Sequence, residues 1–327
     1  MADQAHQMTI PANLVPKVWA SKVWHEGLKE SYFDKFTAID GTNVVHKNTD
    51  LKNVKGDRVV FGLMMQLSGA GVIGNRETLA GKEEQLAIHD FEVQTALVRN
   101  AVSRYEADDQ KSPYDNLKEI KAALKQWLAD WFDNTLISKL SANPTTGEMI
   151  SAASAGTQAA ITANDKLTTA IISRAKRKAM MHGPKVAPIK VDGMDKYIML
   201  VSPWAAKDLK DDAKWLAAQQ NANVRGSKNP IFTGALGEYD GVILYEYERV
   251  LNDATGASSA NVCHNLLLGR QAACFAVARP AKHIEQTDDY GNQQGNGIAF
   301  YGGIEKSKYN NKDYGVINVL SGGVVEK

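Results

Sequence analysis

The sequence has little of what usually marks a disulfide-stapled, membrane-spanning or nucleic-acid-binding protein. Only two of the 327 residues are cysteines, Cys263 and Cys274, and their apolar surroundings favour buried free thiols. The 38 basic residues nearly balance the 37 acidic ones, so a net charge of +1 gives no strong attraction to nucleic acid or an anionic membrane. No apolar run approaches the roughly 20 residues of a membrane span, and the amino terminus does not resemble a signal peptide. We therefore expect a cytoplasmic product with no membrane partner.

Catalytic and ligand-binding motifs are also missing. The seven histidines are scattered, no serine lies in a G-x-S-x-G elbow, and no G-x-x-x-x-G-K-[ST] loop is present. Acid pairs such as Glu83 with Glu84 lie in hydrophilic surroundings, where little desolvation is available to tune a carboxyl group for catalysis. We therefore predict that the protein is not an enzyme and has no catalytic residue, no metal site and no cofactor.

One short motif points the other way. Residues 69–74, Gly-Ala-Gly-Val-Ile-Gly, match G-x-G-x-x-G, and Asp90 stands at a plausible distance for a ribose-binding acid. A dinucleotide-binding fold also needs an apolar-faced helix directly after the third glycine, followed by further βαβ units. Residues 75–85 contain only two apolar side chains and are interrupted by Gly81. A nucleotide-dependent oxidoreductase is therefore kept as an alternative only.

The longest stretch with a helical apolar period runs from Ser112 to Ala142. Ser112 suits an N-cap, Pro113 suits the first turn, and Asn143 followed by Pro144 ends the run. At about 1.5 Å per residue this spine helix is roughly 45 Å long, more than a compact domain usually requires. Its second half is expected to be covered from more than one direction. The predicted buried face contains Leu117, Ile120, Leu124, Trp127, Leu128 and Trp131, and the predicted solvent face contains Lys118, Glu119, Lys125, Gln126, Asp130 and Asp133.

The region before this helix predicts an arm and a hairpin. Residues 1 to about 50 carry too little apolar surface for a domain and suggest an arm that lies on something else. The apolar side chains alternate from Val59 to Leu67 and again from Phe91 to Leu97, which predicts two strands. The glycine-rich and charged connection between them is too long for a tight turn. An extended β-hairpin is therefore predicted.

The region after the helix predicts mixed α and β structure. A Gly/Ser/Thr/Ala-rich connection leads into a helix from Asn164, and a buried strand and a further helix follow. The predicted elements are a strand at Lys196–Pro203, a helix at Trp204–Gln219, strand-like runs at Gly241–Val250 and Asn265–Val277, a polar loop at Gln286–Gly297, and terminal strands at Gly302–Val319 with a turn at Asn310–Asp313.

Several separated blocks, in the same order, resemble the capsid family named after coliphage N-four. They are KGDRVVFGLMMQL from Lys55, LKEIKAALKQWLADWFDNTLISKL within the spine helix, NPIFTGALGEYDGVILYEYERV, LLLGRQAACFAVA and NNKDYGVINV. The order of elements is similar to that of tailed-bacteriophage major capsid proteins with the Hong Kong 97-like fold. The resemblance runs from about Leu14 to Leu320, nearly the whole chain.

The resemblance implies an α+β fold with five parts. They are an N-terminal arm (1–50), an extended loop (51–104), a peripheral domain with the spine helix (105–149), an axial α/β domain (150–282) and returning strands of the peripheral domain (283–327). The region before the extended loop is too short for a large internal scaffolding domain.

The implied function is structural. Copies of the chain would assemble into hexamers and pentamers of an icosahedral head shell that encloses phage double-stranded DNA, within a virion assembled in the host bacterial cytoplasm. The implied partners are further copies of the chain, a portal protein, separate scaffolding and decoration proteins, and packaged DNA through non-specific contacts. A nonviral compartment shell of the same fold is the other alternative.

We predict that the extended loop lies over an adjacent subunit's spine helix or peripheral domain. Some relatives cross-link a loop lysine to an asparagine of a neighbour; Lys82 lies in the right kind of loop, but its spacing identifies no partner. The predicted assembly contacts are Gly69, Gly71, Gly74, Arg76, Lys82 and Glu83 in the loop, with Trp127 and Trp131 on the spine helix.

Overall fold

The computed structural model describes residues 31–53, 56–64, 67, 69, 71–74, 78–86, 88–111, 116–145, 149–154, 156–181, 183, 185–191, 193–221 and 236–323. Most of the predicted arm, the predicted cap of the spine helix at Ser112 and Pro113, and Arg76 of the predicted contacts lie outside these residues.

The described residues form the following helices and strands. The helices are α1 (Glu106–Lys111), α2 (Asn116–Ser141), α3 (Thr169–Met181), α4 (Pro203–Lys210) and α5 (Ala213–Asn221). The strands are β1 (Thr37–Ala38), β2 (Val45–Asn48), β3 (Arg58–Met64), β4 (Ile88–Gln94), β5 (Ala96–Tyr105), β6 (Met149–Ser151), β7 (Ile189–Val191), β8 (Met194–Val201), β9 (Gly237–Tyr239), β10 (Val242–Glu246), β11 (Asn252–Asp253), β12 (Val262–Leu268), β13 (Ala273–Asp288), β14 (Gln293–Lys306), β15 (Lys308–Tyr309), β16 (Lys312–Asp313) and β17 (Val316–Gly322).

An eight-stranded mixed sheet forms one half of the fold. Its strand order is β6-β17-β12-β8-β10-β9, with β11 paired to β12 and β7 paired to β8. All seven residues of β12 and all seven of β17 are buried. One face packs on α3, α4 and α5, and the other joins the core under α2. Because both faces are covered, these strands are buried along their whole length instead of at every second residue.

A five-stranded sheet and the spine helix form the other half. The strand order is β1-β2-β13-β14-β5, and α2 packs mainly against β14. Phe132 of α2 meets Phe275 of β13 edge to face at a centroid distance of 4.9 Å. The buried residues of the helix after Trp131 are Phe132, Asp133, Leu136, Ile137, Leu140 and Ser141, which confirms the predicted wider cover of its second half.

A buried lysine completes the carboxyl end of α2. The Lys306 Nζ donates to the carbonyl oxygens of Ala142 at 2.6 Å and Asn143 at 3.0 Å. It also lies 2.8 Å from Asp313 Oδ1, and both side chains are buried. A cation is favourable at this end of a helix because the last carbonyl groups have no partner within the helix. The contact joins α2 to β14 and β16.

The predicted helix at Trp204–Gln219 is wrong in one respect, because the structure has two helices there. They meet at Asp212, whose Oδ1 accepts from the Lys214 backbone N–H at 3.0 Å, so that Asp212 caps α5. Its Oδ2 accepts from both the backbone N–H and the hydroxyl of Thr169 at 2.9 Å. This capping and the tie to α3 break the helix where periodicity alone continues it.

The predicted polar loop at Gln286–Gly297 is also wrong. These residues lie in β13 and β14 apart from a tight connection at 289–292. Gly297 lies opposite Ile284 on one side and Ala101 on the other, and a Cβ built on it would come within 3.3 Å of the Ala101 Cβ. Glycine therefore allows close strand approach here instead of marking a loop.

The strand pairing does not follow two of the predicted boundaries. The sequence predicts returning peripheral strands over residues 283–327, whereas β17 lies between β6 and β12 of the eight-stranded sheet. The reason is its continuous buried run, which suits the interior of a sheet covered on both faces. Similarly, β5 pairs with β14 along its length, although residues 51–104 were assigned to the extended loop.

Candidate assembly surfaces

The extended hairpin is confirmed and has a fixed base. Strands β3 and β4 pair antiparallel from Arg58 opposite Gln94 to Met64 opposite Ile88. One face buries Val59, Phe61 and Val93 against Cys274 and Ala276 of β13. The register follows from alternation, because side chains on one face recur every second residue.

Aromatic contacts fix the direction of the hairpin. Phe61 and Phe91 stack across the strands at a centroid distance of 5.4 Å. His46 of β2 meets Phe61 edge to face at 5.5 Å, and His89 of β4 meets Tyr309 of β15 at 4.3 Å. The hairpin is therefore held from both the five-stranded sheet and the small β15–β16 hairpin.

The opposite face of the hairpin, called the bare face below, carries Val60, Met64 and Ile88, whose side chains the described residues leave exposed. Met64 and Ile88, which pair directly, are 65% and 62% exposed, and Val60 is 57% exposed. Leu67 and Ile73 beyond the strands are exposed as well. Asp90 and Glu92 lie on the same face. Exposed apolar side chains beside charged ones on a projecting hairpin are typical of a surface that contacts another protein chain.

The predicted loop contacts lie beyond the bare face. The Gly69 N–H donates to Glu84 Oε2 at 2.7 Å, and the Gly81 N–H donates to Glu83 Oε2 at 2.7 Å. Lys82 is exposed in a turn in which its N–H donates to the Leu79 carbonyl at 2.9 Å.

The glycines of the loop have backbone roles. Gly71 and Gly74 have φ of +67° and +100°, where a side chain would be strained. The described residues 69 and 71–74 follow β3, and residues 78–86 before β4 contain no helix. The G-x-G-x-x-G match therefore lies within an antiparallel hairpin, and the strand-to-helix turn of a dinucleotide site is not formed.

The two predicted contact tryptophans belong to a different part of the molecule. Trp127 and Trp131 are half-buried and pack against the core under α2, while the hairpin base forms a separate small cluster. Trp131 meets Phe300 of β14 edge to face at 5.8 Å. Within one subunit, the structure does not bring these tryptophans together with the loop residues.

A buried acid of the spine helix was missed by the sequence analysis. Asp133 was placed on the solvent face, yet it is 5% exposed. Its Oδ1 accepts from the Ser31 hydroxyl, and its Oδ2 accepts from the Tyr32 N–H at 2.9 Å. Burial raises the pKa of the Asp133 carboxyl, although these hydrogen bonds act in the opposite direction. The only sequence signal is its position between the apolar residues Phe132 and Leu136.

Aromatic rings surround this contact of Asp133 with Ser31 and Tyr32. Tyr32 stacks on Tyr247 at 4.3 Å, and burial raises the pKa of both phenols. The Lys35 Nζ lies over the rings of Tyr32 at 4.0 Å and Tyr245 at 4.5 Å. The chain at 31–36 is therefore fixed between α2 and the end of β10.

Metal-ligating side chains do not cluster among the described residues. Among these residues, no group of three or more His, Cys, Asp or Glu side chains could hold a metal ion, and no helix is long and apolar enough to span a membrane. Both cysteines are buried, and burial raises the pKa of the Cys274 thiol to about 11. Such thiols carry little thiolate at neutral pH.

Known proteins share this arrangement over almost the whole chain. The phage capsid protein family model matches residues 12–325. The major capsid protein of Pseudomonas phage KPP25 is 26% identical over an alignment 352 positions long, which covers 92% of this chain and 93% of that protein. The solved capsid of Ralstonia phage GP4 is 27% identical with a TM-score of 0.80, covering 91% of this chain and 93% of that one. The cyanophage Pam1 capsid is 21% identical with a TM-score of 0.79, covering 99% and 98%.

The chain therefore belongs to the phage capsid protein family, and its α+β architecture is the Hong Kong 97-like fold predicted from the sequence.

Proposed function

We propose that this chain is the major capsid protein of a tailed phage, a structural protein that assembles into hexamers and pentamers of an icosahedral head shell around double-stranded DNA. The observation that carries the proposal is the match of a capsid family model to residues 12–325, together with a capsid relative that aligns over 92% of the chain. The hairpin supports it physically, because the exposed apolar side chains of Val60, Met64 and Ile88 would be stabilised by burial against a neighbour.

The proposed contact places the extended hairpin on an adjacent subunit's spine helix or peripheral domain. One subunit contributes loop residues, and its neighbour contributes Trp127 and Trp131 of the spine helix. The loop residues are Gly69, Gly71, Gly74, Arg76, Lys82 and Glu83. A contact between two different surfaces of identical subunits is heterologous, and it closes into a ring when the rotation between neighbours closes. The names arm, extended loop, peripheral domain and axial domain refer to the proposed division of the chain into these parts.

Further partners follow from the same proposal. They are a portal protein, separate scaffolding and decoration proteins, and packaged DNA held by non-specific contacts. Assembly in the host cytoplasm is part of the proposal.

Removal of residues 71–81 tests the hairpin's role. The purified full-length chain should form closed particles in negative-stain images. The shortened chain should keep its folded sheets, measured by circular dichroism and thermal unfolding, and form no shells. Normal particles from the shortened chain would contradict the proposed contact.

A nonviral compartment shell of the same fold is the second candidate. Particles purified after infection should contain packaged DNA if the chain is a capsid protein. Particles that contain protein cargo and no DNA would favour the compartment.

A further inference from the structure

The β13–β14 hairpin ends in an unusual tip. Tyr290 is fully exposed and has φ +53°, and the preceding Asp289 has φ +50°. A left-handed conformation is uncommon for a bulky residue and costs free energy, so it persists only where the surroundings hold it in place. Such a backbone at the end of a long hairpin presents the tyrosine ring away from the subunit.

Hydrogen bonds hold the tip in this shape. The Asn292 Nδ2 donates to Asp289 Oδ2 at 2.9 Å, and the Gln286 Nε2 donates to both carboxylate oxygens of Asp288 at 3.0 and 3.1 Å. The Glu106 N–H donates to the Asn292 carbonyl at 3.0 Å, which ties the tip to α1. Residues 286–294 contain two aspartates and no basic residue. The tip is therefore a fixed, acidic projection with one aromatic side chain.

A groove elsewhere on the subunit has the matching properties. It encloses about 600 Å³ where residues 35–43 approach β7, β8 and β10, a volume within the usual range of binding pockets. Its floor is apolar and includes Phe36, Ile198 and Tyr245. Its charged lining consists of Lys35, Lys190 and Arg270 with one acid, Asp195.

The groove cannot receive the tip of its own chain. Arg270 of the groove precedes β13, and Tyr290 follows the end of the same strand. A strand of 16 residues spans roughly 50 Å at about 3.3 Å per residue. Because the tip and the groove lie at opposite ends of one strand, any contact between them joins two copies.

We propose that the β13–β14 tip of one subunit docks in this groove of a second copy, with Tyr290 over the apolar floor and Asp288 and Asp289 facing Lys190 and Arg270. Aromatic anchors in desolvated pockets commonly carry most of an interface's binding free energy, and the charges set the orientation. The two surfaces differ, so the contact is heterologous and passes from copy to copy. The inference rests on the proposed shell function and adds a second contact to that of the extended hairpin.

Tyr290→Gly separates docking from folding. Glycine adopts φ +53° without strain, so the thermal unfolding temperature of the subunit should stay the same or rise. The subunit concentration for half-maximal assembly, measured by light scattering and counted particles, should increase about 10-fold or more. The matched control is Asn311→Gly, at another exposed hairpin turn with φ +60°, which should assemble normally.

A charge exchange identifies the receiving surface. Asp288→Lys and Lys190→Glu should each weaken assembly about 10-fold, and the double variant should return to within about 3-fold of the unmodified chain. Asp288 has an extended backbone, so lysine fits there without strain. Absence of rescue, or normal assembly of Tyr290→Gly, would overturn the docking while leaving the shell function intact. Failure of the unmodified chain to form particles would instead contradict the proposed function, and the docking with it.

Discussion

The eight-stranded sheet and the β3–β4 hairpin distribute their apolar side chains differently. In the sheet, β12 and β17 are buried on both faces by elements of the same subunit. In the hairpin, one face packs on β13 and the other leaves Val60, Met64 and Ile88 more than half exposed. The difference separates a body that supplies its own burial from a projection whose burial has to come from another molecule.

The largest loss of stability should come from the apolar core that the eight-stranded sheet shares with β13 and α2. Phe275→Ala removes a ring that contacts both Phe132 and Phe300, and should lower the subunit's free energy of unfolding by about 3–5 kcal/mol. Urea unfolding of unassembled subunits measures it. Val60→Ala on the bare face is the control and should change that free energy by about 0.5 kcal/mol or less. Equal losses for the two variants would remove the distinction between body and projection.

A smaller effect should show that residues 31–36 belong to the body. Asp133→Ala leaves the Ser31 hydroxyl and the Tyr32 N–H without their acceptor, and should lower the free energy of unfolding by about 1–3 kcal/mol. Asp130→Ala, one turn earlier on α2, removes a partly exposed ion pair with Arg249 and should cost about 0–1 kcal/mol. Equal losses for the two variants in urea unfolding would show that the contact of Asp133 with Ser31 and Tyr32 adds nothing to the free energy of unfolding.

The pH dependence of the free energy of unfolding tests the contact between the β13–β14 hairpin and the spine helix α2. Burial lowers the pKa of His283 on β13, and the nearby Glu285, paired with Lys121 of α2 at 3.2 Å, opposes that shift. A folded pKa below the unfolded value means that stability is fully present above about pH 6.5 and is lost as pH falls through the folded pKa. Unfolding measured from pH 7.5 to pH 5 should show this loss. His283→Gln should reduce its slope, and an unchanged slope would exclude His283 as the cause.

The smallest effect on the subunit should come from the bare face itself. Replacing Val60, Met64 and Ile88 together by threonine should leave the free energy of unfolding within about 0.5 kcal/mol, since these side chains have few contacts to lose. Shell formation should nevertheless fall, because the apolar area available to a neighbour is reduced. Leu216→Thr, an exposed position on α5, is the control and should alter neither measurement. Unchanged particle yield for the triple variant would show that the face is not an interface.

Local patterns in the sequence predict the elements whose apolar periodicity lies within a single helix or strand. The helical period confirmed by α2 and the alternation confirmed by β3 and β4 depend on neighbours within one element. The resemblance to phage capsid proteins gave the overall fold because its blocks cover almost the whole chain.

The features that were missed depend on distant partners. Asp133 is buried because Ser31 and Tyr32 reach it across the fold, and no spacing within α2 indicates that. Gly297 looks like a loop residue until β5 and β13 lie on either side of it. Of the predicted contact residues, the loop members and the two tryptophans remain predictions, because their common neighbour would be a second subunit.

The position of β17 has a consequence for the time course of synthesis. This strand follows all the other described strands in the chain, yet it lies between β6 and β12. A nascent chain that has not yet reached Val316 leaves the facing edges of β6 and β12 unpaired, so the sheet cannot close around its core. Domains generally fold as units. The sheet is therefore complete only once Val316–Gly322 can pair with both neighbours, and a chain without these residues lacks the closed body on which shell contacts depend.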